Sequence, residues 1–470
     1  LGTRFISLPI LSTLIAIGFA GSLKADDNLA NIIENVKPNT SQTAVIIAQD
    51  KRSHFQQNAQ QLFTPASTMK LLTAVAATKA LGTGYRFSTQ VDSYVGIANN
   101  RIKGDVFIRF DGDPTLQQAD LDRLFKQLKQ QGLQHIDGNV YLVGEQQENH
   151  KAPGWVWDDL GICYAAPVSR YIINNNCIKA KLEPKLADDL AKLSFNKSQP
   201  VTISSTAIFD KTASKPFCEL ELQRNENNHF KLSGCFPGKK QLKLAIAISD
   251  PALYAQNIID GLLKQNQISI KGDVLLTNKR PANTLLIAEH QSEPLSILIG
   301  SMLLHSDNLI ADTLLKRIGQ VTYGTTGSFS NGSKAMTRIL TEIGINLETA
   351  NIVDGSGLSR YNLLSAQQLY QVLKLIGSDN QLNYLIGLLP VAGESGTLKY
   401  RKGYNSPPLK GQILAKTGSM LGAVNLAGFI KQKETSYLPF VILENGHSPA
   451  VKDAEIAPFS VLLLQSILQK

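Results

Sequence analysis

The sequence predicts an α+β chain: a sheet-and-helix domain assembled from both ends, interrupted by one insertion nested inside another. Three observations lead there. Strand-like runs lie at both extremes, Thr43–Ala48 near the start and 412–416, 423–431 and 437–444 near the end, so a single sheet is completed by joining them. Apolar helix-forming stretches, 67–81 and Pro294–Gly319, lie just inside those strands and can cover the sheet. Between them, from about Arg86 to Ala288, the chain turns strand-rich and repeats a phrase three times: Ile102-Lys103-Gly104-Asp105-Val106, Ile136-Asp137-Gly138-Asn139-Val140 and Ile270-Lys271-Gly272-Asp273-Val274.

In order, residues 1–25 read as a secretory signal: Arg4, the apolar stretch Phe5–Phe19, then small residues up to Ala25. An apolar run of about 15 residues is short for a membrane span, so the segment is expected to be cleaved and to leave no stable anchor. A short helix at 29–36 stops before Pro38, and strands at 43–48 and 53–58 meet at Asp50-Lys51. Pro65 and Gly82 bracket a helix from about Ser67 to Leu81 that is apolar nearly all round and therefore central. Two copies of the repeated phrase follow helical segments, 121–131 and 253–264, as in helix-then-strand units. The stretch 166–240 breaks that pattern, with strands at 201–208 and 218–222. A loop at 355–362, helices near 366–376 and 381–388, the three late strands and a terminal helix at 456–468 complete the chain. The expected division is 26–85 with 289–470, 86–165 with 241–288, and 166–240.

At 470 residues the chain is too long for one ordinary core. Its net charge of +9 comes from scattered lysines and arginines without interleaved aromatics, which argues against nucleic acid as a partner. Cys163, Cys177, Cys218 and Cys235 form an even set in an apparently exported chain, so disulfides are expected. Three connectivities are open, and pairing of sequence neighbours is the simplest. No Cys-x-x-Cys spacing and no His paired with a carboxylate on one helix face occurs, so neither metal nor cofactor is expected.

Three motifs carry chemistry. Ser67 and Lys70 share one face of their helix, and a partly desolvated lysine can take the proton of a serine hydroxyl. Ser194-Phe195-Asn196-Lys197 repeats the spacing in a polar setting. Ser306-Asp307-Asn308 sits at the join of two buried helices, where its polar groups need partners such as a lysine amine and a substrate amide. A second copy, Ser378-Asp379-Asn380, is explained by a capping box between Ser378 and Gln381. Lys416-Thr417-Gly418, followed by Ser419, is read as a strand end where a peptide can add as a strand, its carboxylate held by the cation and hydroxyl and its backbone admitted by Gly418.

Ser-x-x-Lys, Ser-x-Asn and Lys-Thr-Gly in this order are the set of penicillin-binding proteins and serine β-lactamases, and the long gap from Lys70 to Ser306 leaves room for inserted domains. The chain resembles the penicillin-binding protein 4 type D-alanyl-D-alanine carboxypeptidase/endopeptidase, peptidase family S13. The resemblance extends through Gly154-Trp155-Val156-Trp157-Asp158-Asp159, Cys163-Tyr164-Ala165-Ala166-Pro167, Asn176-Cys177, Asp354-Gly355-Ser356-Gly357-Leu358-Ser359-Arg360 and Leu389-Pro390-Val391-Ala392-Gly393. It implies a transpeptidase-like domain, an antiparallel sheet with helices, bearing two nested inserted domains. It also implies a periplasmic enzyme that cleaves peptidoglycan stem peptides ending in D-Ala-D-Ala, or their cross-links, and is trapped by β-lactams. Ser67 would be the nucleophile, Lys70 its base, Ser306 and Asn308 the relay and positioning groups, and Lys416, Thr417, Gly418 and Ser419 the carboxylate and oxyanion side. Asp159, Tyr164 and Arg360 would face the substrate side chain, while Leu421 stands where relatives often carry Gln. A β-lactamase or esterase of the same superfamily, or a penicillin-sensing wall protein, differs only in its deacylation rate. The disulfides are expected outside the catalytic domain, remote from Ser67.

Overall fold

The computed structural model describes residues 28–50, 53–144, 150–184, 190–210, 212, 215–237, 241–433, 436–448 and 458–469. The expected signal at 1–25 lies outside them.

The two chain ends build one five-stranded antiparallel sheet, ordered His54–Gln57, Gln42–Ala48, Ser436–Asn445, Ala423–Lys433, Ile413–Met420. Its central seam pairs Thr43 with Glu444 and Ile46 with Val441. Because side chains alternate along a strand, Ala44, Ile46 and Ala48 point to one face with Val441, Leu443 and Phe429, whereas Val45 and Ile47 point to the other with Phe440, Ile442 and Ile430. The second face is closed by the helices at 28–36 and Phe459–Leu468, through Ile33, Phe459 and Leu463. The first face carries the helices Lys70–Leu81, Leu295–His305, Asn308–Tyr323, Phe329–Glu342 and Ala366–Ser378. Lys70–Leu81 is buried from Lys70 to Thr78 and sits at their centre. The expected helix at 381–388 is a 3-10 turn, Asn383–Leu388.

The helix Phe329–Glu342 has no counterpart in the sequence reading. Its buried face includes Gly332 and Ser333 because it crosses Asn308–Tyr323 closely: a Cβ on Gly332 would lie 2.4 Å from the Leu315 carbonyl. Gly332 and Ser333 permit that approach, while Phe329, Ala335, Met336 and Leu340 keep an apolar stripe on the same face that was there to be read.

Within 86–288 the repeated phrase folds the same way each time. Arg101–Ile102, His135–Ile136 and Ser269–Ile270 form a small parallel sheet in matched register. Val106–Phe110, Val140–Val143 and Val274–Thr277 then run parallel in a five-stranded sheet that includes Ser88–Ser93 and Leu285–Gln291. Helices Gln118–Gln130 and Pro251–Gln265 contribute Leu121, Leu124, Ile258 and Leu262 to its core. The run read as one strand at 201–208 is two, Thr202–Ser205 and Ile208–Asp210, both parallel to His229–Pro237, with a break where the Ser205 hydroxyl accepts the Ala207 N–H. Leu242–Ala247, expected in the outer insertion, pairs with Cys177–Pro184 and so joins that insertion to the segment 166–240.

Candidate active site

The Ser67 turn is built by three neighbours. Ala66–Met69 is a 3-10 turn that passes into the α-helix at Lys70, where the sequence suggested α-helix from Ser67 onward. Ala66 has φ 47°, a left-handed conformation unusual for a residue with a Cβ. Thr64 fixes the entry to the sheet: its N–H donates to Asn445 Oδ1 at 2.7 Å and its carbonyl accepts from Asn425 Nδ2 at 2.9 Å. Gly357, at φ 80°, lies so close that a Cβ would sit 1.8 Å from the Ala66 carbonyl. Gly418 closes the third side, where a Cβ would meet the Pro65 carbonyl at 2.6 Å. The approach of this strand to the nucleophile turn by itself requires the glycine of Lys-Thr-Gly.

Lys70 is wholly buried and its ammonium has three acceptors: Ser67 Oγ at 2.9 Å, Asn308 Oδ1 at 2.6 Å and the Ser356 carbonyl at 2.7 Å. Burial lowers its pKa to about 8, against the opposing pull of Asp312, Asp354 and Asp307. Ser306 ends one helix in the left-handed conformation, and Asp307 caps the next by accepting the Ile310 N–H at 3.0 Å. That junction aims Ser306 and Asn308 at two different lysines. Lys416 Nζ donates to Ser306 Oγ at 2.9 Å and to the Thr417 carbonyl at 2.9 Å, and burial, then the charges of Lys70 and Arg401, hold its pKa well below the usual lysine value. Lys416 lies within the strand Ile413–Met420 rather than at its end, and Thr417 Oγ1 donates to Thr397 Oγ1 at 2.9 Å.

Asn308 Nδ2 donates to the Tyr164 carbonyl at 2.9 Å, which ties the inserted segment to the site. The Tyr164 hydroxyl donates to Asp159, and burial followed by this bond pushes the phenol upward. Arg360 donates to the Leu421 carbonyl, so the backbone, not the side chain that departs from the family pattern, makes this contact. Cys163–Cys177 and Cys218–Cys235 are the disulfides, the neighbour pairing. The first corrects the expectation of remoteness: Cys163 adjoins Tyr164, whose carbonyl reaches Asn308. The group Asp210, Cys218 and Cys235 has both sulfurs committed to the second.

The two decoys fall elsewhere. Ser194 lies on a strand of the insertion and its hydroxyl donates to Glu183 at 3.4 Å. Ser378 ends a helix and donates back to the Leu375 carbonyl, while Asp379 Oδ1, not Ser378, accepts the Gln381 N–H at 2.7 Å.

The sequence reading missed the layer behind the lysine. Asp312, fully buried, accepts the Gly355 and Ser356 N–H groups at 2.8 and 2.9 Å, which places the Ser356 carbonyl on Lys70. Burial and the nearby Asp354 raise its pKa well above the ordinary value. Asp354 in turn accepts from Gly357 N, Ser359 N, Asn362 Nδ2 and Trp155 Nε1. The available signal for Asp312 was its spacing, four residues after Asn308 and hence on the same helical face.

A family model, D-Ala-D-Ala carboxypeptidase 3 (S13) family, matches residues 25–466. D-alanyl-D-alanine carboxypeptidase DacB of Haemophilus influenzae is 34% identical over 445 residues, 94% of this chain and 90% of the relative. The crystal structure of penicillin binding protein 4 (dacB) from Haemophilus influenzae superposes with a TM-score of 0.87 at 32% identity, over 94% of this chain and 98% of that one. The same protein complexed with a β-lactam gives a TM-score of 0.83 at 30% identity, with the same coverage. Together with the site just described, these matches show that the chain belongs to the D-Ala-D-Ala carboxypeptidase 3 (S13) family.

Proposed function

We propose that this protein is a serine D-Ala-D-Ala carboxypeptidase, with endopeptidase action on cross-links, that works through an acyl-enzyme on Ser67 and is inhibited by β-lactams. The observation that carries the reading is the 2.9 Å bond between Lys70 Nζ and Ser67 Oγ, made by a buried lysine whose pKa is about 8. At neutral pH a useful fraction of such an amine is neutral and can accept the serine proton as Oγ attacks the carbonyl of the penultimate D-alanine. The tetrahedral oxyanion is met by the N–H groups of Ser67 and Ser419. Ser306 passes a proton to the leaving amine, with Lys416 behind it, and Asn308 holds Lys70 and the substrate. Thr417 lies on the carboxylate side. Water then attacks the ester, with the proton path reversed.

Asp159, Tyr164 and Arg360 form the side-chain subsite. A diaminopimelate terminus carries both an ammonium and a carboxylate and so offers a partner to Asp159 and to Arg360. The chain acts after export, in the periplasm; no helix among the described residues is long and apolar enough to cross a membrane. The division into 26–85 with 289–470, 86–165 with 241–288, and 166–240 belongs to the same reading.

Purified protein incubated with stem-peptide fragments should release D-alanine, and cross-linked dimers should yield monomers, both read by mass. Unchanged fragments at every pH between 6 and 9 would contradict the proposal.

A further inference from the structure

The Lys416 ammonium is poorly placed to receive a substrate carboxylate. It is wholly buried, and two of its protons are already given to Ser306 Oγ and the Thr417 carbonyl. Only its third N–H is left for a carboxylate, whereas the edge of a guanidinium offers two parallel donors. Burial and two neighbouring cations, Lys70 and Arg401, also disfavour its charged form. The site nevertheless needs a cation for a terminal carboxylate, because a buried anion without one is costly.

Arg401, half-buried, lies beside the same strand. Its Nη1 is 3.4 Å from Ser419 Oγ, the residue that follows Lys416-Thr417-Gly418 and is exposed. The segment that carries it is fixed at both ends. Upstream, Thr397 in the turn Gly396–Leu398 accepts from Thr417 Oγ1. Downstream, the Tyr404 N–H donates to the Arg401 carbonyl at 3.1 Å, and the fully buried Tyr404 is anchored by its hydroxyl on Ser460 at 2.8 Å. A guanidinium held this way presents a planar fork that matches a carboxylate in two parallel hydrogen bonds.

We infer that Arg401 is the cation that binds the terminal carboxylate of the substrate, alongside the Thr417 and Ser419 hydroxyls, and that Lys416 is left to serve Ser306. This inference rests on the acyl-transfer reading above and deepens it. The carboxylate docks beside a side chain at the mouth of the site, and the buried lysine remains free to exchange a proton with Ser306.

The test compares acylation of Ser67 by penicillin G, which bears a free carboxylate, with acylation by its methyl ester. The full-length protein and its Arg401→Gln and Arg401→Lys variants are used. The parent should prefer the acid. Arg401→Gln should slow acylation by the acid about tenfold or more while leaving the ester rate within about twofold of the parent, since one charge-assisted contact is lost only with the acid. The unchanged ester rate also reports an intact site. Arg401→Lys should recover part of the preference as a point charge. The inference is overturned if Arg401→Gln slows acid and ester by the same factor, or slows neither. Failure of the parent to acylate at Ser67 at all would instead overturn the acyl-transfer reading, and this inference with it.

Discussion

Replacing Asp312 by alanine should damage stability and acylation together, and replacement by asparagine should restore most of both. The carboxyl accepts two backbone N–H groups, Gly355 and Ser356, in a position without solvent access. Each buried N–H left without a partner costs about 1–3 kcal/mol, and water entering the vacated volume recovers part of it, so Asp312→Ala should lose roughly 2–4 kcal/mol. The kinetic effect arises one bond further on. The Ser356 carbonyl, held at 2.7 Å from Lys70 Nζ, is turned toward the lysine because its own N–H is gripped by Asp312. Released, it lets the lysine drift from Ser67, and a displacement of order 1 Å costs about a hundredfold in rate. Asparagine keeps an oxygen to accept both N–H groups. The assays are urea unfolding and stopped-flow acylation by a fluorescent penicillin. Parental stability and rate in Asp312→Ala, or an asparagine variant as slow as alanine while folded, would refute the reasoning.

Three further outcomes are expected. Because burial lowers Lys70 to about 8 and its neutral form is the base, the acylation rate should climb as pH rises through about 8 and level off above; a flat profile from pH 6 to 9 would contradict this. Asp159→Asn should slow hydrolysis of peptides with a free diaminopimelate end by about ten- to a hundredfold and scarcely affect acylation by a simple penicillin; equal effects on both would remove Asp159 from the subsite. Loss of either disulfide, closing loops of separation 14 and 17, should lower stability by about 2–4 kcal/mol, measured by denaturant unfolding, but only loss of Cys163–Cys177 should also slow acylation, through Tyr164 and Asn308; identical kinetics in the two variants would contradict it.

Much of the site could be read from the chain because its chemistry is concentrated in short motifs. Ser67, Lys70, Ser306, Asn308 and Lys416 come together from three distant segments, and hydrogen bonds join them into two lysine-centred groups. The sheet was legible for another reason: Thr43–Ala48 and the late strands are apolar on both faces, as a strand between two helical layers must be. What escaped notice has physical causes. Phe329–Glu342 has Gly332 and Ser333, poor helix formers, in its first turns, although Phe329, Ala335, Met336 and Leu340 give it a legible apolar face. Lys416 and Thr417 looked like a strand end because polar residues usually stand there, yet the strand continues to Met420 and buries both. Ser356 acts through its carbonyl, which no side-chain pattern announces. Asp312 and Asp354 are buried carboxyls whose partners are backbone N–H groups of one distant loop, a pairing visible only once the chain is folded.

The central claim is that Ser67 is the acylated nucleophile, and the most direct measurement is a mass map of the protein after reaction with labelled penicillin. The account predicts one equivalent of label, all on the peptide containing Ser67, and none in Ser67→Ala. Label that persists in that variant, or that maps to Ser194, would contradict it.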